Sequence, residues 1–139
     1  MREIEKLLPH REPFLFVDEI VEAGEKKIVA KHVFTEKEFF FKGHFPEYPV
    51  VPGVVLVETM AQSGGAGLRK MGVLGDSALF FLATVDKVKF RRQVRPGDEL
   101  RCEITNLRVS PKMIKQAGNA YVGDELAAEA EWMCLVDTK

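Results

Sequence analysis

Cysteine is nearly absent: the 139-residue chain has two, Cys102 and Cys134. They stand far apart, with no CxxC pair and no histidine cluster beside them, so there is neither a disulfide framework nor a zinc signature. Both read as reduced core thiols. Net charge is missing too, because 20 lysines and arginines face 21 aspartates and glutamates for a balance of −1. No chain-wide field draws the protein to nucleic acid or to an anionic membrane. An electrostatic partner has to be met by a local patch. Uncharged runs reach only about ten residues, well short of the roughly 20 needed to span a bilayer. The opening MREIEKLLPH lacks the apolar centre of a secretory signal. There is no internal repeat, low-complexity segment or linker. What remains is a cytoplasmic enzyme or binding protein.

What is present is the composition of a folded domain, 46% hydrophobic and 29% charged, and residues 1–139 read as one domain. REIEKLL has helical spacing and stops before Pro9. From Pro13, FLFVDEIVEAGEKKIVAKHVF reads as two strands around an Ala-Gly turn, with Ile28, Ala30, His32 and Phe34 on one face. The proline-rich stretch TEKEFFFKGHFPEYPVVPG follows as loop. One long helix is expected from near Pro52 to about Lys70, with Gly72 at its left-handed C-terminal position. Val54 to Val57 are apolar on every side, the pattern of a helix wrapped by other structure. Gly64, Gly65 and Gly67 lower helix propensity, a cost that makes sense where backbones pack closely. After the helix the pattern changes to period two, through the turns RPGD and GD to the end. Long strands on short connections are antiparallel neighbours. The fold class is therefore α+β, a long helix wrapped by a curved antiparallel sheet, with a barrel capped by a helix as the alternative.

The segment GHFPEYPVVPGVVLVETMAQSGG carries the chemistry. His44 is the residue type suited to proton transfer near neutral pH, and the bland alternative is a loop histidine bonded to its neighbours. His10, in a turn beside Pro9, and His32, on a strand face, have only the bland reading. The helix starting near Gly53 offers unpaired amides and a partial positive charge to a carbonyl oxygen. Glu58 sits among Val54, Val55, Val57 and Ala61, where desolvation raises a carboxyl pKa and lets it hold a proton to donate. Its alternative is a polar stripe with Thr59, Gln62 and Ser63, and Gln62 at i+4 is placed to orient the carboxyl. Gly53 and Glu58 lie about 140° apart around the helix, so a site using both permits Glu58 to come from a second copy. A base, a neutral acid and a carbonyl-polarising amide are the equipment for removing a proton α to a carbonyl while a β-hydroxyl leaves as water.

These residues resemble the signature of the (3R)-hydroxyacyl-acyl carrier protein dehydratases of the FabZ type. LLPHREPFLFVDEI, VDKVKFRRQVRPGDEL and AEAEWMCLV are similar to further segments of that family, so the resemblance covers nearly the whole chain. It implies a hotdog fold, dimers with a continuous sheet that assemble as trimers of dimers, and sites shared between protomers. It also implies that His44 is the catalytic histidine, Glu58 the acid and Gly53 the residue binding the thioester carbonyl. Glutamate at 58 resembles the branch that dehydrates without moving the double bond. The chain departs from the commonest motif at Glu47, with Tyr48 beside it.

KVKFRRQVR carries Lys87, Lys89, Arg91, Arg92 and Arg95 and no acid, with Lys87, Lys89 and Arg91 on one strand face. It is either a solvated face or a dock for an acidic partner. The resemblance implies that this partner is acyl carrier protein. EFFF at 38–41 and ALFFLATV at 78–85 are either core or the lining of an acyl tunnel. The elimination needs no cofactor, and no metal constellation is visible. Two other functions stay open, a hotdog acyl thioesterase and a non-catalytic acyl-binding module.

Overall fold

A computed structural model describes residues 1–138. The elements in chain order are α1 (Glu3–Leu7), β1 (Glu19–Ala23), β2 (Ile28–Val33), a 3-10 turn (Phe39–Lys42), α2 (Gly53–Lys70), β3 (Ala78–Phe90), β4 (Glu99–Val109), β5 (Met113–Val122) and β6 (Glu125–Thr138). The six strands form one antiparallel sheet in the order β1-β2-β4-β5-β6-β3. Helix α2 lies against every strand. This is the hotdog arrangement.

The strands bury alternate residues, as period two requires. Leu100, Cys102 and Ile104 of β4 point inward, and so do Ile114, Gln116 and Ala120 of β5 and Ala130, Trp132 and Cys134 of β6. They close on Leu56, Met60 and Leu68 of α2. The glycines of α2 mark where side chains meet its backbone: a Cβ on Gly64 would lie 2.0 Å from Gln116 Oε1, and one on Gly67 would lie 2.4 Å from Ile28. Gln116 is a buried polar group fully occupied at this contact. Its amide donates to the Gly64 carbonyl and to Asn106, and its oxygen accepts from the Trp132 indole.

The end of α2 matches expectation. Gly72 has φ +79, its N–H bonds the Arg69 carbonyl, and Val73 N–H bonds the Leu68 carbonyl, the double closure of a Schellman motif. Two expectations need correction. Val54 is 77% exposed while Val55, Leu56 and Val57 are buried, so the start of α2 is open on one side. The first strand begins at Glu19, not after Pro13. Residues 14–16 instead run along α2, where Phe16 N–H donates to Gln62 Oε1 and Phe14 O accepts from Gln62 Nε2. Backbone groups that the sheet leaves unpaired are thus satisfied by one helical side chain.

Candidate active site

The loop before α2 is held tightly enough to aim a side chain. His44 N–H donates to the Phe40 carbonyl, Tyr48 N–H to Phe45 and Val51 N–H to Val94. Phe45 has φ 54, a left-handed conformation that a bulky residue adopts at a cost and that clusters at functional sites. His44 Nδ1 lies 2.9 Å from the Val50 carbonyl oxygen. A carbonyl only accepts, so Nδ1 carries the hydrogen and Nε2 of the neutral ring keeps a free lone pair. That is the state of a general base.

His44 opens onto a cleft of about 440 Å³ lined by Val50, Gly53, Leu56, Phe90 and Gln93, among others. Pro52 is the N-cap of α2, and the first helical bonds run from Val55 and Leu56 back to its carbonyl. The Gly53 amide lies outside that ladder and carries the positive end of the helix dipole to the cleft. Glycine is required there by contact as well, because a Cβ would come within 2.7 Å of the Phe90 ring. His44 and Gly53 therefore share one cleft.

Glu58 lies elsewhere. Its side chain is 23% exposed, and Gln62 Nε2 donates to its Oε2 at 2.9 Å. Burial raises its pKa above the ordinary carboxylate value, and the Gln62 bond only partly offsets this. Gln62 is in turn fixed by its two bonds to residues 14 and 16, so the orienting role expected of it has a geometric basis. Glu58 is not among the residues lining the His44 cleft. It shares the open face of α2 with Val54, four residues earlier.

His10, which the sequence marked as an ordinary turn residue, approaches this acid: its Nε2 is 3.7 Å from Glu58 Oε2. The chain separation of the two gave no sign of it. His32 keeps its structural reading in a more demanding form. It is buried, with Nδ1 2.8 Å from Asp18 and Nε2 3.0 Å from Glu38. Burial works against its charge, but the two carboxylates prevail and raise its pKa to about 9.

The basic segment divides. Lys87 and Arg91 do share a face, but that face carries Glu131 and Glu129 of β6, at 3.3 and 2.8 Å respectively, and Lys89 stands in register with Glu129. Arg92 meets Asp98 and Glu125, and Arg95 stacks 4.3 Å over the Tyr48 ring. Arg91 and Arg92 alone of the five border the His44 cleft. Of the aromatic runs, Phe40 and Phe41 are core, whereas Phe81 and Leu82 are exposed on β3. Both cysteines are free and buried, and burial pushes each thiol up to about 12. Among the described residues no three metal-ligating side chains are gathered to hold an ion, and no helix is long and apolar enough to cross a membrane.

A family model described as a FabA-like domain matches residues 8–131. The chain belongs to the FabA-like family. The 3-hydroxyacyl-acyl-carrier-protein dehydratase FabZ of Desulforamulus reducens is 49% identical to it over 138 residues, 98% of this chain and 96% of that one. The FabZ of Pelotomaculum thermopropionicum is 46% identical over 138 residues, 98% and 97% of the two chains. In structure, the dehydratase heterocomplex ApeI:P from Xenorhabdus doucetiae is similar with a TM-score of 0.82 at 19% identity, over 98% of this chain and 91% of that one. A thioesterase, HI1161 from Haemophilus influenzae, is similar with a TM-score of 0.62 at 16% identity, over 86% and 78%. The last two likenesses concern the fold alone, and a fold by itself does not fix a chemistry. The His44 cleft, the Gly53 amide and Glu58 all lie inside the matched residues.

Proposed function

We propose that this chain, as one domain over residues 1–139, converts (3R)-hydroxyacyl-acyl carrier protein to the trans-2-enoyl product in fatty acid biosynthesis, and is thus a hydro-lyase. The observation that carries this reading is the His44 Nδ1 bond to Val50, which leaves Nε2 as a base in the cleft that also holds the Gly53 amide. His44 Nε2 takes the proton from C2. The Gly53 N–H donates to the thioester oxygen as negative charge grows on it, where a preorganised donor is worth most. Glu58, whose pKa burial raises, is the group proposed to give its proton to the C3 hydroxyl, which leaves as water. No redox step is involved, and the reaction needs no cofactor.

In this reading Glu58 serves the His44 cleft of a partner protomer, and the working unit is a homodimer. Two surfaces support it. Strand β3 is an edge strand whose Phe81, Leu82, Val85 and Phe90 are 55%, 40%, 39% and 54% exposed, and an unpaired apolar edge of this length is a template for a second strand. The open Val54–Glu58 face of α2 supplies the rest. A trimer of such dimers is the proposed assembly, checked by light scattering. Arg91 and Arg92, which border the cleft, are the proposed dock for acyl carrier protein, with Lys87, Lys89 and Arg95 contributing less because they lie off it. The enzyme is proposed to work in the cytoplasm, where its two thiols stay reduced.

The test follows a 3-hydroxyacyl thioester by enoyl absorbance and by free thiol together. Enoyl formation without thiol release is the expected result. Thiol release without enoyl would replace this reading by the thioesterase, and neither signal would replace it by an acyl-binding module.

A further inference from the structure

His10, 3.7 Å from Glu58, is an ionisable group for which the proposed mechanism has no use. His10 projects from the segment between α1 and β1, and its ring lies 5.8 Å from that of Phe80. Its placement is fixed by Arg11, whose guanidinium donates to the carbonyls of Leu8 and His10 at 2.7 Å each and of Glu5 at 3.0 Å. The backbone of the turn is thereby locked and the imidazole directed at α2. Nδ1 of His10 is buried with no hydrogen-bond partner, while Nε2 points at Glu58 Oε2, 3.7 Å away. A buried N–H without an acceptor costs more than a bare ring nitrogen beside apolar neighbours. The neutral tautomer with its hydrogen on Nε2 is therefore favoured, and that hydrogen faces the carboxyl group.

We propose that His10 is the positioning partner of Glu58, its Nε2–H orienting the carboxyl group and steadying the carboxylate left once the proton has passed to the departing hydroxyl. This rests on the dehydratase reading. The separation of 3.7 Å is longer than a formed hydrogen bond, and catalytic hydrogen bonds commonly tighten when substrate is bound. The surrounding charges agree with a neutral ring. Burial lowers the pKa of His10, and the nearby cations Arg11 and Arg69 lower it further. The Cys134 thiol of β6 is held protonated by burial and by the charge of Glu58, and Gln62 is uncharged. Glu58 thus has two neutral donors, Gln62 from its own helix and His10 from the N-terminal segment, and no cation to hold it ionised.

The experiment compares wild type, His10→Phe and His10→Gln, with Glu58→Gln as control, in kcat with a short thioester and in the carboxyl pKa of Glu58 titrated by carbon-13 NMR. His10→Phe keeps the ring volume and loses the N–H, so kcat should fall about tenfold with KM little changed, and the Glu58 pKa should rise by about one unit. His10→Gln, which still donates, should recover most of both. Wild-type kcat and an unmoved Glu58 titration in His10→Phe would overturn the proposal. Nitrogen-15 NMR of the wild-type imidazole needs no variant: the neutral Nε2–H form is expected at pH 7, and an imidazolium or an Nδ1–H form would overturn the proposal even if His10→Phe fails to fold. The dehydratase reading fails separately, by full activity in Glu58→Gln.

Discussion

Nδ1 of His44 stands 2.9 Å from the carbonyl oxygen of Val50, and this one bond leaves Nε2 as the nitrogen proposed to take the proton. His44→Ala should lower kcat by about 10²- to 10⁴-fold, the usual worth of a positioned general base. Circular dichroism should be little changed, since backbone bonds at Phe40, Phe45 and Val94 hold the loop alongside the ring's bond to Val50. Turnover near wild type would remove His44 from the reaction.

Glu58 makes an opposed pair of predictions. Burial raises its folded pKa above the unfolded value, so ionising it works against folding. The penalty is absent below the unfolded pKa, grows as pH rises through the folded one, and is full above it. Glu58→Gln should therefore raise Tm at pH 8, leave it unchanged near pH 3, and abolish most of the dehydration. Thermal scans at the two pH values with a turnover assay check all three.

His32 has the opposite sign. Its folded pKa is raised to about 9 by Asp18 and Glu38 against an unfolded value near 6.5. Its contribution to stability is complete below pH 6.5 and fades as pH rises through 9. His32→Gln should destabilise by about 3 kcal/mol at pH 6, because two carboxylates lose their shared cation, and by much less at pH 10. Urea midpoints across that range measure it.

Gly64 tests the packing of the sheet on the helix. A Cβ there meets Gln116 Oε1 at 2.0 Å, and Gln116 is held by three hydrogen bonds. Gly64→Ala should cost about 2 kcal/mol, the range for overpacking a filled core. Gly75→Ala, in open space, should be near neutral.

The helix, its glycine stop and the six-strand pattern were legible because each depends on local periodicity. His44 and Gly53 were legible as a pair because they stand nine positions apart, at the two ends of one loop that brings both to the same cleft. What escaped the sequence came from long-range pairing. The approach of His10 to Glu58 joins segments 48 residues apart in numbering. The acidic partners of Lys87 and Arg91 come from β6, placed opposite by sheet register. The exposure of Val54 depends on which side of α2 the sheet leaves uncovered, which a helical pattern alone does not specify.

If His44 of one protomer works with Glu58 of another, two inactive variants should restore each other when mixed. His44→Ala and Glu58→Gln, each inactive alone, are to be unfolded together, refolded in equal amounts and assayed. Random pairing makes half of the dimers mixed, each with one intact site, so about a quarter of wild-type activity should return. A mixture as inactive as its two parents would contradict the shared site.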